Sequence, residues 1–226
     1  MKIAVLGTGN VGRTIAGRLA GLGHDVAIGT RNPQDTLART DADAMGNPPF
    51  SVWHGEHSDV QLLPYDEAAS SAELVFNACS GDGSLPALRL AGAANLAGKV
   101  LVDVANPLDF SRGFPPTLLV KDSDSLAEQI QAAFPDAKVV KTLNTVNASV
   151  MVDPEALAGG EHSIFLSGDD AASKGTVGDL LRSFGWRDVI DLGDLSTARG
   201  AEMLLPLWLR LMNALGTPAF NFKVVR

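Results

Sequence analysis

The sequence predicts a doubly wound α/β fold, in which helices cover both faces of a mainly parallel sheet. Apolar runs of strand length alternate along the 226 residues with stretches whose apolar positions recur at helical spacing. The first strand meets its helix at a glycine-rich turn, "GTGNVG". Because a crossover between strands of one sheet is right-handed and brings the chain back to the same end, the alternation predicts parallel pairing at each step. A chain of this length suits one large domain, or one domain with an appended lobe.

The N-terminal elements are the most clearly marked. "KIAVLG" predicts a buried strand, and "TGNVGRTIAGRLAGLG" predicts the helix after it, because its apolar residues recur at helical spacing. "DVAIG" predicts the second strand. A helix should follow, with Asn32 as its N-cap and Pro33 in its first turn.

The remaining elements continue the alternation. Residues 45–59 are rich in turn-forming residues and predict an irregular surface loop. The further strands predicted up to residue 145 are "VQLLP", "AELVFNAC", "GKVLVDVAN" and "AKVVKTLN", and the helices between them are "YDEAASS", "SLPALRLAGAA" and "SLAEQIQAAF". Beyond residue 145 we predict the strand "HSIFLSG", the helix "DDAASKGTVGDLLRSFGW", the strand "DVIDLG" and the long helix "STARGAEMLLPLWLRLMNALG".

Composition limits the partners of the chain. Its formal net charge of −8 argues against nucleic acid, whose phosphates require a basic face. Cys79 is the single cysteine, so an internal disulfide is excluded and a reducing compartment is expected. The most apolar late stretch is interrupted by Arg210 and is shorter than the ~20 residues of a membrane span. We therefore expect a cytoplasmic protein that binds neither nucleic acid nor membrane, and no metal at His54 and His57, which lack an accompanying cysteine or acidic cluster.

The glycine-rich turn predicts a dinucleotide site. In the Gly-x-Gly-x-x-Gly pattern, Gly7 allows the tight turn, Gly9 lets the backbone approach a pyrophosphate, and Gly12 allows close packing of helix on strand. The helix that begins near Asn10 would direct free N–H groups and its positive dipole end at that pyrophosphate. A glycine turn without a ligand is the less favoured interpretation.

The end of the second strand indicates which dinucleotide is bound. NAD-binding units usually place a carboxylate there, which accepts hydrogen bonds from the adenosine ribose and would repel the 2′-phosphate of NADP. Here Thr30 and Arg31 follow Gly29, and a hydroxyl with a guanidinium can hold a phosphate. We therefore predict NADP as the cofactor. The alternative is that Arg31 is only a solvated residue at a helix start.

Few side chains could act as the acid that a carbonyl reduction requires. The histidines, the single Tyr65 and Lys174 all lie in segments that predict turns, helix starts or polar surface. This scarcity favours a flavin or deazaflavin as hydride acceptor, because such a ring takes the hydride itself. We expect no catalytic side chain, with catalysis by orientation of two stacked rings.

The loops after the later strands are expected to line the cleft at the carboxyl end of the sheet. Asn106 and Pro107 suit the nicotinamide side, and Asn144, Thr145 and Asn147 offer neutral hydrogen-bonding groups to the second ring. Each of these residues could instead be ordinary turn chemistry. Residues 1–145 are predicted to form an NADP-binding domain of Rossmann type, and residues 146–226 a small mixed α/β lobe that completes the cleft for the hydride acceptor.

Several segments together resemble the NADPH-dependent F420 reductase family, to which the cytosolic domain of membrane ferric reductases is related. They are "MKIAVLGTGNVG", "IGTRNP", "DVANPL", "VKTLNTVNASVM", "FLSGDD" and "ARGAEMLLPLWLRLMNALGTPAFNFKVV". The resemblance implies hydride exchange between NADP and coenzyme F420, with FAD or FMN as the other candidate co-substrates, in a homodimer formed partly through C-terminal elements. It assigns Thr8, Gly9, Asn10 and Val11 to the pyrophosphate, Thr30 and Arg31 to the 2′-phosphate, Ser80, Ala105, Asn106 and Pro107 to the nicotinamide path, and Asn144 and Thr145 to the deazaflavin.

Alternative functions remain open from the sequence. Cyclic-imine reductases such as pyrroline-5-carboxylate reductase have a similar N-terminal half, but their C-terminal domain is long and mostly helical. The 6-phosphogluconate type of dehydrogenase is less favoured, since its lysine-bearing catalytic helix is missing. A reductase of a ferric or flavin acceptor is a further possibility. So is an NADPH-sensing domain without catalysis, which should bind NADPH tightly and turn over no hydride acceptor.

Overall fold

The computed structural model describes residues 1–42 and 46–226. The strands are β1 (Lys2–Leu6), β2 (Asp25–Thr30), β3 (Gln61–Pro64), β4 (Leu74–Asn77), β5 (Val100–Asp103), β6 (Leu108–Asp109), β7 (Thr117–Leu118), β8 (Lys138–Thr142), β9 (Ser163–Gly168) and β10 (Asp188–Asp191). The helices are α1 (Asn10–Gly21), α2 (Pro33–Ala38), α3 (Phe50–Glu56), α4 (Tyr65–Ser71), α5 (Gly81–Ala91), α6 (Ala93–Leu96), α7 (Leu126–Ala133), α8 (Ala148–Val152), α9 (Ala171–Phe184), α10 (Ala198–Met203) and α11 (Leu205–Leu215).

Eight strands form one sheet in the order β10-β9-β8-β5-β4-β1-β2-β3, and β6 and β7 form a separate antiparallel pair. Two buried clusters lie on the two faces of the large sheet, one including Ile15 and Phe184 and the other Leu88 and Ile130. The predicted Rossmann-type α/β fold with a mainly parallel sheet is thereby confirmed. Within the described residues, no helix has both the length and the hydropathy required to cross a membrane.

The pairing of β9 is the antiparallel step in this mainly parallel sheet. β9 runs antiparallel to β8, with Val140 opposite Gly168, and β10 is parallel to β9. An antiparallel neighbour must start at the edge where the previous strand ends, so residues 143–162, including α8, stay at the carboxyl edge of β8. This reversal brings α8 to the edge where ligands bind in such sheets. β9 and β10 continue the sheet of residues 1–145, while the boundary predicted at residue 145 stays a prediction.

The prediction of an irregular loop over residues 45–59 is wrong for residues 50–56, which form α3. The glycines and prolines suggested turns, but the aromatic residues recur at helical spacing. Phe50 and Trp53 have ring centroids 5.6 Å apart, and the Trp53 and His57 rings stack at 4.2 Å. These side chains share one face, which packs onto the core beside α1. Met45, at the start of the predicted loop, lies outside the described residues.

The long helix predicted over residues 196–216 is divided into α10 and α11 at Leu204. Pro206 lies in the first turn of α11 and has no N–H to donate to a carbonyl of the preceding turn. Leu205, Trp208 and Leu209 of α11 pack against Leu118 of β7. Two helical segments separated by one residue therefore stand where one continuous helix was expected.

Candidate cofactor-binding cleft

A cleft of about 890 Å³ opens at the carboxyl ends of β1, β4, β5 and β8. Several residues predicted for ligand contact line it, namely Gly9, Asn10, Val11, Ser80, Ala105, Asn106, Asn144 and Asn147. The remaining lining residues are mainly apolar and come from the segments after β4, β5 and β8, from α8 and from α11. Loops after different strands therefore meet in one elongated space, as the parallel arrangement of these strands requires.

The glycine turn is shaped for close approach to the backbone. Gly7 has a φ of +126°, and a Cβ there would lie 2.6 Å from the carbonyl oxygen of Ala78. A Cβ on Gly12 would collide with the carbonyl oxygen of Gly7. Both glycines are thus required by the protein's own packing.

Gly9 is different, because a Cβ there would meet no atom of the described residues within 4 Å. Gly9 is the N-cap of α1, has a φ of −72° and has no side chain, so the first N–H groups of α1 donate to no capping side chain. These N–H groups begin a helix whose first residues, Asn10 and Val11, line the cleft. The uncapped helix start and the space above Gly9 fit a pyrophosphate.

The end of β2 presents Arg31 to solvent, whereas Thr30 is buried. Thr36 Oγ1 donates to the carbonyl oxygen of Asn32 at 2.9 Å, so the 2.8 Å bond between Thr30 Oγ1 and Thr36 Oγ1 uses the Thr30 proton. The contact predicted between Thr30 and a 2′-phosphate stays a prediction. In this structure the Thr30 hydroxyl proton is donated to Thr36 and is not directed at a ligand. Arg31 acts on the cleft electrostatically, since its charge favours the thiolate of Cys79.

The proposed nicotinamide side is built around a pair of asparagines. Asn106 Nδ2 donates to the Asn144 carbonyl at 2.8 Å, and Asn144 Nδ2 donates to Asn106 Oδ1 at 3.0 Å and to the Ala201 carbonyl at 3.0 Å. Gly81, at the start of α5, lies so close that a Cβ there would collide with the Asn106 carbonyl. The segment that contains Asn106 and Pro107 is therefore held from two sides.

Only some of the residues predicted to contact a second ring line the cleft. Asn144 and Asn147 line it, and Asn147 Oδ1 also caps α8 by accepting from the Ser149 amide at 3.1 Å. Thr145 is buried behind the wall, with 2% of its surface exposed. Around this end the wall is apolar, with Leu108, Phe110, Leu119, Met151, Leu205, Trp208 and Leu209. An apolar wall of this size suits a flat ring.

Cys79 lines the cleft next to the glycine turn. Burial raises the pKa of its thiol to about 11, against the opposing effects of the Tyr65 hydrogen bond and of Arg31. Its Sγ donates to the carbonyl oxygen of Leu6 at 3.3 Å. A thiol that stays protonated at neutral pH is a poor nucleophile, so we assign Cys79 no part in the chemistry.

Sequence reasoning missed a buried ion cluster beneath the cleft, formed by Lys141, Asp103 and Glu202. The Lys141 ammonium lies 2.7 Å from Asp103 Oδ2 and 2.8 Å from Glu202 Oε1, and all three side chains are at least 99% buried. Burial lowers the pKa of Lys141, but the two carboxylates outweigh it and hold that pKa above its usual value. Burial raises the pKa of Glu202, and the charge of Lys141 opposes this rise.

A signal for this cluster was present in the sequence. Lys141 interrupts the apolar run "AKVVKTLN", and Asp103 interrupts "GKVLVDVAN". A lysine within a strand that is covered on both faces requires a buried partner. The register of β5 and β8 places Asp103 directly opposite Lys141.

Comparison with known proteins identifies the family. The profile of the family described as NADP oxidoreductase, coenzyme F420-dependent, matches residues 2–107. The F420-dependent NADP reductase of Methanocaldococcus jannaschii is 29% identical over 213 residues, which cover 93% of this chain and 92% of that protein. Metalloreductase STEAP3 of Rattus norvegicus is 32% identical over 214 residues, and this chain spans only 38% of its length.

A solved structure extends the match to the whole chain. The crystal structure of a candidate F420-dependent NADP-reductase from Arthrobacter sp. FB24 is 64% identical in sequence, with a TM-score of 0.96 and 100% of both chains covered. Its agreement with the present fold includes the C-terminal elements that the family profile leaves out. The chain belongs to the F420-dependent NADP oxidoreductase family and is an NADP-dependent oxidoreductase.

Proposed function

We propose that the chain transfers hydride between NADP(H) and a deazaflavin or flavin ring, with coenzyme F420 as the preferred co-substrate. The observation that carries this proposal is the shape of the cleft. An uncapped helix start with an open Gly9 forms one end, and an apolar wall around Trp208 forms the other, within a single cavity of about 890 Å³. Two ring systems need such a continuous space in order to stack.

In this proposal the N-terminal part of the chain holds the dinucleotide. The turn residues Gly7, Thr8, Gly9, Asn10, Val11 and Gly12 surround the pyrophosphate, Thr30 and Arg31 face the 2′-phosphate, and Ser80, Ala105, Asn106 and Pro107 form the nicotinamide side. The guanidinium of Arg31 is the group that distinguishes NADP from NAD. When bound, the nicotinamide supplies or takes up the hydride.

The residues of the second half position the other ring. Asn144 and Asn147 offer polar edges, and α8 and α11 supply apolar faces that exclude water. Residues 1–145 thus act as the NADP-binding domain and residues 146–226 as the lobe that completes the cleft. The contribution of the protein is orientation, so we assign no acid or base.

The homodimer is part of the proposal. Leu207 and Leu215 of α11 are more than half exposed, and so is Phe110 beside the cleft. Large apolar side chains grouped on one helix are typical of an interface. Sedimentation equilibrium should give a mass of twice 23.6 kDa, and Leu207→Glu should lower it toward the monomer. The single Cys79 and the use of NADPH suit the reducing cytoplasm.

A flavin that passes electrons on to ferric iron is the second candidate. It is favoured by the similarity to rat STEAP3, a metalloreductase by name, over 92% of this chain. In that case FAD or FMN would take the place of F420 against the same apolar wall.

One anaerobic experiment tests both candidates. Protein and NADPH are mixed separately with F420, FMN, FAD, a ferric chelate and pyrroline-5-carboxylate, and nicotinamide absorbance is followed. Turnover with F420 supports the proposal, and turnover only with a flavin or ferric chelate supports the second candidate. Turnover only with the imine contradicts both. NADPH binding without any turnover indicates a sensor.

A further inference from the structure

The buried ammonium of Lys141 uses each of its three N–H donors. Besides the two carboxylates, it donates to the carbonyl oxygen of Ala105 at 2.5 Å. Three fixed acceptors around one ammonium leave it a single orientation. Because the side chain is wholly buried, it cannot itself touch a ligand in the cleft.

The Ala105 carbonyl lies directly before Asn106, a residue of the cleft wall. Asp103 holds the same segment from its other side, since Asp103 Oδ1 accepts from the Ala105 amide at 3.2 Å and from Asn77 Nδ2 at 2.8 Å. Both backbone polar groups of Ala105 are therefore bonded to the ion cluster. The next residue is bound to Asn144 by the reciprocal amide bonds described above.

Glu202 connects the ion cluster to two helices. It lies on α10, and its carboxylate accepts from the amides of Leu126 at 2.8 Å and Ala127 at 3.2 Å, at the start of α7. Ala201, its neighbour on α10, accepts from Asn144. The cluster thus joins β5, β8, α7 and α10 beneath the part of the cleft assigned to the nicotinamide.

Stability alone does not account for this arrangement. Burying three charges has a desolvation cost that often exceeds their mutual attraction, and apolar side chains of similar volume can replace such clusters without loss of stability. What apolar side chains could not supply is a donor to the Ala105 carbonyl. The feature that the cluster provides is a fixed position for the backbone of residues 105–106.

We infer that Lys141 is a positioning residue, which holds the Ala105–Asn106 wall in place for the nicotinamide half of the dinucleotide. The inference rests on the proposed function, because it takes this wall as the nicotinamide side. The adenosine half would be independent of Lys141, since Gly9 and Arg31 lie on β1–α1 and at the end of β2, outside the cluster. Loss of Lys141 should therefore weaken binding of one half of the ligand only.

Two ligands separate the halves of the site. 2′,5′-ADP carries the adenosine and its 2′-phosphate but no nicotinamide, whereas NADPH carries both. The dissociation constants of the two, measured by calorimetry, give the nicotinamide advantage as their ratio. The test variant is Lys141→Met with Glu202→Gln, which removes one cation and one acid together, so that the formal net charge of the cluster is unchanged. Asp103 keeps its hydrogen bonds from Asn77 and from the Ala105 amide.

We expect the double variant to bind 2′,5′-ADP within about twofold of the unmodified chain, and its nicotinamide advantage to fall at least about fivefold. Glu202→Gln alone retains the bond from Lys141 to the Ala105 carbonyl and should keep that advantage within about twofold. The matched control is Glu128→Gln, which removes the ion pair of Glu128 with Arg199 between the same helices α7 and α10 but outside the cluster. It should also leave the ratio unchanged.

Other results would overturn the inference. They are an unchanged ratio in the double variant, an equal loss of affinity for both ligands, or a loss in Glu202→Gln as large as in the double variant. If near-ultraviolet circular dichroism shows that the methionine variant does not fold, Lys141→Gln with Glu202→Gln replaces it. Because a shorter donor remains in that variant, its nicotinamide advantage should fall by less than about fivefold but by more than the roughly twofold allowed for Glu202→Gln alone. An unmodified chain that binds neither ligand would overturn the proposed function itself.

Discussion

At the scale of single residues, the proposed preference for NADP depends on Arg31. Its guanidinium is exposed at the end of β2, where the proposal places the 2′-phosphate. A charge-assisted bond contributes about 1.5–3 kcal/mol, so Arg31→Asp should raise the KM for NADPH at least about tenfold. The KM for NADH, which lacks the phosphate, should change much less. Steady-state kinetics check this, with Arg39→Asp as the control on a nearby exposed arginine, and unchanged NADPH kinetics in Arg31→Asp would contradict the assignment.

Substitutions at Gly9 and Gly12 distinguish an effect on ligand binding from an effect on packing within the same glycine-rich turn. A Cβ on Gly9 meets no atom of the described residues, so Gly9→Ala should cost at most about 1 kcal/mol of stability, from the poorer N-cap. It should nevertheless lower the affinity for NADPH about tenfold or more, because the methyl group takes the space of the pyrophosphate. Gly12→Ala should instead cost at least about 1–3 kcal/mol, since its Cβ collides with the Gly7 carbonyl. Thermal unfolding and calorimetric titration distinguish the two, and normal NADPH binding by Gly9→Ala would contradict the site.

Much of the site could be predicted because its residues are marked by local rules. Glycine spacing, the missing carboxylate after β2 and the polar residues after β5 and β8 can each be read from a few neighbouring letters. Lys141 and Glu202 could not be paired in this way. They are 61 positions apart, and Glu202 lies on α10, beyond the strand β9 at which the sheet reverses. Thr30 carries the correct chemistry, yet its proton is used by Thr36, a detail that only geometry reveals.

At the scale of elements, α2 shows how a cap can serve binding. Asn32 Oδ1 accepts from the amides of Gln34 at 2.9 Å and Asp35 at 3.2 Å, as the sequence predicted. Asn32→Ala should cost about 1 kcal/mol and raise the KM for NADPH several-fold, because the freed helix start no longer fixes the neighbouring Arg31. Asn32→Ser retains a capping oxygen and should preserve both stability and KM. Equal NADPH kinetics in all three proteins would show that the cap does not act on the site.

The elements that were predicted wrongly share a physical cause. Propensity rules treated Pro49, Gly55 and their neighbours as turn formers, whereas burial of the Phe50 and Trp53 rings outweighs that preference in α3. The alternation of strands and helices predicted a mainly parallel sheet, and nothing local in residues 143–162 marks β9 as the strand that reverses. Apolar runs predict that a strand forms. The direction of that strand in the sheet depends on where the connecting chain packs.

At the scale of the whole molecule, the pattern of charges predicts how stability depends on pH. A hydrogen bond from the Arg199 guanidinium lowers the pKa of Glu128, and the Ser163 hydroxyl followed by Arg226 lowers that of Asp188. A carboxylate with a lowered pKa binds fewer protons in the folded than in the unfolded chain. Its contribution is complete above the unfolded pKa, near 4.5 for Glu128 and 3.8 for Asp188, and is lost as pH falls toward the lower folded value. The folded state should therefore lose stability steeply below about pH 4.

The ion pair of Glu128 and Arg199 allows the contribution of one such carboxylate to the pH dependence of stability to be measured. Its two bonds, at 2.8 and 2.6 Å, join α7 to α10, and the side chains are 22% and 35% exposed. Solvent screening limits the pair to roughly 1 kcal/mol, so Glu128→Gln should lower the Tm by about 2–4 °C at pH 7. The difference should shrink as pH falls below about 4.5, because the carboxylate of the unmodified chain becomes protonated on approach to its lowered folded pKa. Thermal unfolding of both proteins from pH 3 to 7 checks the prediction. Glu202 has a raised pKa and therefore acts in the opposite sense: it favours the folded state as pH falls, so it cannot be the source of the acid loss. A Tm difference that stays constant across this range would show that Glu128 stabilises the fold by packing, not by its charge.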